Sequence, residues 1–222
     1  MPSLTVENYV KAIYRICAGE AGSTAATGQV AAELAVSPGT VTSMLKTLNE
    51  SGLATYTPYE GAKLTPAGAA LALRVVRRHR LIELFLVKTL DLSWDAVHEE
   101  AEHMEHAVSD LLIDRIDAFL GHPPVDPHGD PIPKADGSLA ATDGRTLAAC
   151  DAGFRFRLAR VLDQSPEFLR FLSESGLSLG ATGVIKANRS EAGVVTVSIA
   201  SQETTLGRQA AEKILVAPAG RG

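Results

Sequence analysis

Six side chains between His79 and His106 are of the types that hold a metal ion: His79, Glu83, His98, Glu102, Glu105 and His106. His79 and Glu83 are spaced i, i+4, so on a helix they point to one side. A second helical pattern is expected over Trp94 to Phe119, acidic in its first half and apolar in its second. At about 100° per residue, His98, Glu102, Glu105 and His106 share a sector of roughly 100°. Val97, Ala101, Met104, Val108, Leu111 and Leu112 form an apolar stripe beside it. Three carboxylates gathered between two helices repel each other unless compensated, and a divalent cation is the simplest compensation. One such face alone reads as a solvated acidic surface with scattered histidines. Two consecutive helices, each presenting a His/Glu pair, read as a metal site.

The elements that must carry these residues follow from the chain before them. Val6 to Cys17 has helical spacing, and the small residues Ala18 to Ala26 read as a loop. Thr27 is placed to cap a short helix from Gln29 to about Leu34. Ser37 is a good N-cap, and Pro38 falls at the first helical position, where its missing N–H costs nothing. That helix should run to about Asn49 and end near Gly52, with Val41, Leu45 and Leu48 inward. Ser37, Pro38, Gly39, Thr40, Ser43 and Lys46 remain outside, a small and polar face that is basic at one end. Leu53 to Tyr59 alternates as a strand, Glu60-Gly61 turns, and Ala62 to Leu64 returns. Two short helices followed by this hairpin match a winged helix-turn-helix that binds DNA. Pro66 to about Leu90 is one long helix, whose Arg74, Arg77, Arg78 and Arg80 either reach phosphates or balance the carboxylates downstream.

Composition narrows the class. The 222 residues are 45% hydrophobic, enough for two or three small domains. No apolar run is long enough for a bilayer, and the N-terminus lacks a signal-peptide pattern. Cys17 and Cys150 make neither a disulfide framework nor a metal knuckle, so a cytoplasmic protein with reduced thiols is expected. The net charge of −5 is unevenly spread: residues 1–80 hold eight Lys/Arg against five acids. The front is therefore mildly basic and the remainder acidic, as suits a DNA-binding head on an acidic body.

The stretches "VAAELAVSPGTVTSMLKTLNESGLA", "LTPAG", "RRHRLIELFL", "VHEEAEHMEH" and "HPPVDPHGDPIP" together closely resemble the diphtheria toxin repressor and manganese transport regulator family, from about Leu4 to Pro133. The resemblance implies a homodimeric, metal-activated repressor that binds an inverted-repeat operator in double-stranded DNA. It also implies up to two metal sites per subunit. His79, Glu83 and His98 match one; Glu102, Glu105 and His106 match the other, joined by a residue of the first helix. Glu102 stands where the iron-responsive branch has Cys and the manganese branch Glu. A hard oxygen donor there points to Mn²⁺, with Fe²⁺ the alternative. Asn8 stands where the manganese branch has Asp and the iron branch Met, and offers only a neutral oxygen. Lys11 stands where manganese regulators place a ligating Glu, which argues against their tight two-metal cluster.

Gly121 to about Gly153 contains five of the eleven prolines and reads as an extended segment followed by a flexible linker. His122 and His128, within it, are loose candidates for a surface metal ion, against the commoner reading as solvated loop histidines. Phe154 to Ala217 reads as short strands with a helix from Pro166 to Ser175 that turns Phe168, Phe171 and Leu172 inward. By pattern this piece resembles the family's small SH3-like, FeoA-like β-barrel, which lends a Glu and a Gln to the first metal site in the iron-responsive branch. Gln164 and Glu167 occupy the corresponding places, with the residue types exchanged. The expected architecture is mainly α, with a winged helix-turn-helix over 1–66 and a helical dimerisation and metal domain over 67–133. A linker over 134–153 and the SH3-like domain over 154–222 complete it.

The implied function is a metal-dependent repressor of metal-ion transport genes, not an enzyme. Two rivals remain: a winged-helix regulator that senses an organic ligand, and a metallohydrolase built on the His/Glu face. The hydrolase lacks a general base outside the ligand set.

Overall fold

A computed structural model describes residues 3–19, 24–140 and 144–219. The loop expected over 18–26 and the linker expected over 134–153 therefore lie partly outside the described residues. The chain divides into two compact units, one of residues 1–79, 105–108 and 133–139, the other of residues 80–104, 109–132 and 140–222.

The first unit begins with α1 (Leu4–Gly19), α2 (Thr27–Glu33) and α3 (Pro38–Glu50). Ser37 caps α3, its Oγ accepting from the Thr40 N–H at 3.2 Å, and Pro38 opens the helix. Thr27 does not cap α2. Ala26 holds that position instead, and its N–H donates to the Gln29 side chain at 2.9 Å, because an alanine cap has no oxygen of its own to offer the helix. Val10, Ile13, Val30, Val41, Leu45 and Leu48 are fully buried in the core these helices share. The hairpin of β1 (Ala54–Thr57) and β2 (Gly61–Leu64) pairs antiparallel from Ala54↔Leu64 to Thr57↔Gly61. Gly61 has a φ of +100°, and a Cβ there would stand 2.6 Å from the Ala25 carbonyl oxygen. Only glycine lets the hairpin lie against Ala25 at this point.

Thr65 opens α4 (Pro66–Leu90), its hydroxyl accepting from the Gly68 N–H at 3.2 Å. In the second unit, the single helix expected over Trp94 to Phe119 is two helices, α5 (Val97–Met104) and α6 (Asp110–Phe119). Ser109 is the reason: it is extended and caps α6 through the Leu112 N–H at 3.3 Å. A serine that bonds its own downstream backbone competes with a continuing helix. Glu105 and His106 thus leave the helical face and lie in the turn before that cap.

The C-terminal part is a six-stranded antiparallel sheet with the order β3-β8-β4-β5-β6-β7, rather than the closed barrel suggested by the pattern. Its strands are β3 (Arg145–Thr146), β4 (Arg155–Val161), β5 (Thr182–Arg189), β6 (Val194–Ile199), β7 (Gln202–Gly207) and β8 (Ile214–Pro218). β4 alternates cleanly, with Phe156 and Leu158 buried, until a bulge between Leu158 and Arg160 shifts its register against β8. α7 (Pro166–Glu174) buries Leu169 and Leu172, whereas Phe171, expected inward, is 39% exposed. A short α8 (Arg208–Glu212) follows β7. Residues 145–150, expected within a flexible linker, form β3 and a 3-10 turn that buries Leu147 and Cys150. No helix among the described residues is long and apolar enough to cross a membrane.

Candidate metal centre and nucleic-acid interface

In the second unit, Glu83 on α4 is 1% exposed at its side chain and lies between two histidines. Its Oε1 is 3.2 Å from Nδ1 of His98 on α5, and its Oε2 is 3.8 Å from Nδ1 of His128. His98 in turn places Nε2 3.6 Å from Oε1 of the half-exposed Glu102, one turn on. Glu83, Asp126 and His128 each offer a ligand atom within 4.8 Å of the others, and all three are buried. His128 is fully buried, not the solvated loop histidine expected from its surroundings. Its ring stacks on Trp94 at 6.0 Å between centroids, and Nε2 lies 2.8 Å from the Trp94 carbonyl oxygen. A carbonyl only accepts, so Nε2 carries a hydrogen, which leaves Nδ1 as the ring nitrogen able to take a metal ion. That Nδ1 is buried with no hydrogen-bond partner. A buried, partnerless ring nitrogen facing two carboxyl groups is placed as a metal ligand would be.

Asp126 belongs to the same cluster. Its Oδ1 accepts the backbone N–H of His128 at 2.8 Å and of Asp130 at 2.9 Å, which fixes the loop. Burial, reinforced by the carboxylates of Asp130 and Glu83, pushes Asp126 from 3.8 up to about 8, against the opposing pull of Arg80. The folded chain therefore holds a proton on Asp126 that the unfolded chain releases above about pH 4. This contribution to stability is full below the unfolded pKa and is lost as pH rises through about 8. Metal-free protein should melt at progressively lower temperature between pH 5 and pH 8.5. The stabilisation conferred by added Mn²⁺ should be larger at pH 8.5 than at pH 6, and thermal scans across that range with and without Mn²⁺ read both effects.

The loop is held by the C-terminal sheet. The Val161 N–H of β4 donates to the His128 carbonyl at 2.9 Å. Asp130 accepts from Arg80 at 2.9 Å, from Gln164 at 3.1 Å and from Arg160. Gln164 is thus engaged by Asp130. Glu167, 79% exposed at its side chain, pairs with Arg170 at 3.4 Å. The structure brings neither to the Glu83 cluster. His122 has a 74% exposed side chain 3.0 Å from Asp117.

The first unit holds a different arrangement. Nδ1 of His79 is 2.6 Å from Oε2 of Glu105. Nδ1 of His106 is 2.8 Å from Oε2 of Glu7, and its Nε2 is 3.1 Å from Oε1 of Glu105, though not in hydrogen-bond geometry. Lys11 donates to both oxygens of Glu105, at 2.9 and 2.8 Å, and lies 3.3 Å from Nδ1 of His79. Arg78 lies 3.8 Å from Glu7. Asn8 Oδ1 is buried without a hydrogen-bond partner.

On α3 of the same unit, Ser37, Pro38, Gly39, Thr40, Ser43 and Lys46 are all exposed, while Val41, Leu45 and Leu48 anchor the opposite side. The hairpin tip presents Tyr59, fully exposed. Asp126 is the candidate ligand without a signal of its own in the sequence, and His128, a loose surface candidate there, is buried beside it. The signal they share is the Asp126-Pro127-His128-Gly129-Asp130 run, in which donors alternate around a proline and a glycine.

Comparison with known proteins gives a consistent result. Residues 1–62 match the iron dependent repressor N-terminal DNA binding domain, residues 65–134 its metal binding and dimerisation domain, and residues 145–218 the FeoA domain. The chain is 33% identical over 162 residues to the iron-dependent repressor IdeR of Mycobacterium leprae, covering 73% of this chain and 68% of that one. It is 30% identical to the diphtheria toxin repressor of Corynebacterium efficiens, over 79% of this chain and 80% of the relative. A solved manganese-dependent transcriptional repressor in complex with manganese is 41% identical, with a TM-score of 0.86, covering 96% of this chain and all of that one.

Proposed function

The chain belongs to the iron-dependent repressor family, and from that premise we propose that it represses metal-ion transport genes by binding DNA when loaded with Mn²⁺ or Fe²⁺. The observation that carries the metal reading is the buried, partnerless Nδ1 of His128 facing Glu83 and Asp126. Glu83, Asp126 and His128, with His98 beside Glu83, would hold the ion. His79, one turn before Glu83 on α4, is the further donor that the family resemblance assigns. A divalent ion there would supply positive charge against the Glu83 and Asp126 carboxyl groups. Two carboxylates and imidazole, with no thiolate, suit Mn²⁺ or Fe²⁺. Glu83 and His98 then tie α4 to α5, and Asp126 and His128 tie both to the loop held by β4.

On the DNA side, Ser37, Gly39, Thr40 and Ser43 reach base edges, and Pro38 and Lys46 lie against the backbone. Such small side chains leave much of the specificity to DNA shape. We read the assembly as a homodimer acting in the cytoplasm on an inverted repeat, with half-sites about 34–36 Å apart. The six-stranded sheet is read as an SH3-like arrangement that does not close. Leu111, Leu112 and Phe119 on α6 are 69%, 50% and 71% exposed, an apolar face that a second copy would cover. Leu111→Asp should convert the dimer to monomer in sedimentation velocity and weaken operator binding in step.

The deciding experiment is fluorescence anisotropy on the chain's own upstream DNA at fixed salt, since phosphate contacts make affinity salt-dependent. Binding is measured with EDTA, then with Mn²⁺, anaerobic Fe²⁺ or Zn²⁺. Tightening by one of these ions is the expected result. Equal binding with and without chelator would leave the organic-ligand regulator standing in its place.

A further inference from the structure

We propose that Lys11 is a built-in cation filling the second metal position of the family's donor set, so that this chain takes no metal ion at Glu105 and His106. The inference rests on the metal-dependent reading above and concerns the first unit alone. Both oxygens of Glu105 are spent on one ammonium, at 2.9 and 2.8 Å, and Oε2 also meets Nδ1 of His79 at 2.6 Å. The Lys11 side chain is 7% exposed and that of Glu105 fully buried, so the pair sits away from water. A buried charge is tolerated only when paired and hydrogen-bonded, and Lys11 meets that condition for Glu105.

The charge pattern of the two clusters separates them. In the first unit the carboxylates Glu7 and Glu105 face the cations Arg78 and Lys11, so the acids are matched without an ion. In the second unit Glu83, Asp126 and His128 bring ligand atoms within 4.8 Å of one another. A divalent ion added beside Lys11 would meet an ammonium at van der Waals range; beside Asp126 it meets carboxylate. His106 Nε2 stands 3.1 Å from Oε1 of Glu105 with no hydrogen-bond partner, and Asn8 Oδ1, on the same helix as Lys11, is buried and likewise unpartnered, a latent ligand set that Lys11 keeps from use. Replacing the tethered cation with an anion should restore the site.

The test counts Mn²⁺ per subunit on the full chain by equilibrium dialysis, with the free ion read by EPR. Expected are one ion for the wild type, two for Lys11→Glu, and one again for the double variant Lys11→Glu/Glu105→Gln. Lys11→Gln, which adds no repulsion, covers the case in which Lys11→Glu does not fold without metal, and it too should gain an ion. A wild type that binds two ions overturns the inference while leaving the metal-dependent reading intact. So does a count of one in both Lys11 variants. A wild type that binds none overturns the functional reading, and the inference with it.

Discussion

Asp126→Asn should weaken Mn²⁺ binding by at least about 100-fold, since it removes a charged ligand where loss of a mere outer-shell partner already costs 10–100-fold. The same substitution should raise the melting temperature of the metal-free protein at pH 8.5. Both effects have one origin. Asparagine keeps the Oδ1 acceptor that receives the His128 and Asp130 N–H groups, so the loop retains its shape. What it removes is a carboxyl group pushed up to about 8 by burial beside Asp130 and Glu83, which must lose its proton at alkaline pH or on metal binding. Isothermal titration with Mn²⁺ and thermal scans at pH 6 and 8.5 check the pair. An affinity within about threefold of wild type, against the loss expected for a ligand, would remove Asp126 from the site. His128→Ala should lose comparable affinity without the alkaline gain in stability.

Gly129→Ala should be the most damaging single-methyl change in the loop from Asp126 to Asp130. Gly129 has a φ of +88°, and a Cβ there would lie 2.1 Å from the Ala159 carbonyl oxygen and 2.7 Å from Arg160 Cα. These are backbone atoms of β4 and cannot swing aside. A left-handed conformation costs an L-residue about 1–2 kcal/mol, and overpacking adds about 1–3 kcal/mol. A total of about 3 kcal/mol corresponds to a loss of about 6–12 °C in melting temperature for a chain of this size. Because Asp126 and His128 lie just before the glycine in the same loop, Mn²⁺ affinity should fall as well. Gly121→Ala is the control: φ is +76°, but nothing lies within 4 Å of its Cβ, so only the backbone cost of about 1–2 kcal/mol applies. Equal losses in the two variants would show that the approach of β4 to Gly129 contributes nothing.

Local chemistry was legible wherever neighbouring residues alone decide the outcome. Ser37 and Pro38 start α3 because a hydroxyl cap and a preset φ act within one turn, and α4 spans Pro66–Leu90 as its periodicity requires. The small polar outer face of α3 follows from its spacing, as do the buried Val41, Leu45 and Leu48. Where local signals competed, the reading failed. The apolar stripe through Met104, Val108 and Leu111 suggested one helix, but Ser109 caps a new one. β7 buries only Leu206 in its six residues, so it shows almost no alternation. Phe171, which helical spacing alone turns inward, is exposed on a helix whose buried residues are Leu169 and Leu172.

By itself the sequence determined the inventory: a capped recognition helix, and His and Glu side chains one helical turn apart on α4 and α5. Tertiary structure alone decided which of these meet and what charge they meet with. Glu83 and His128 are 45 positions apart in the chain, and only the docking of Gly129 on β4 brings the His128 ring toward the carboxylate. Lys11 and Glu105, 94 positions apart, form a buried pair that no periodicity encodes. Hydrogen-bond capping and helical spacing act over a few residues, so they can be read along the chain. Burial, and the electrostatics that burial amplifies, depend on which distant segments exclude water together.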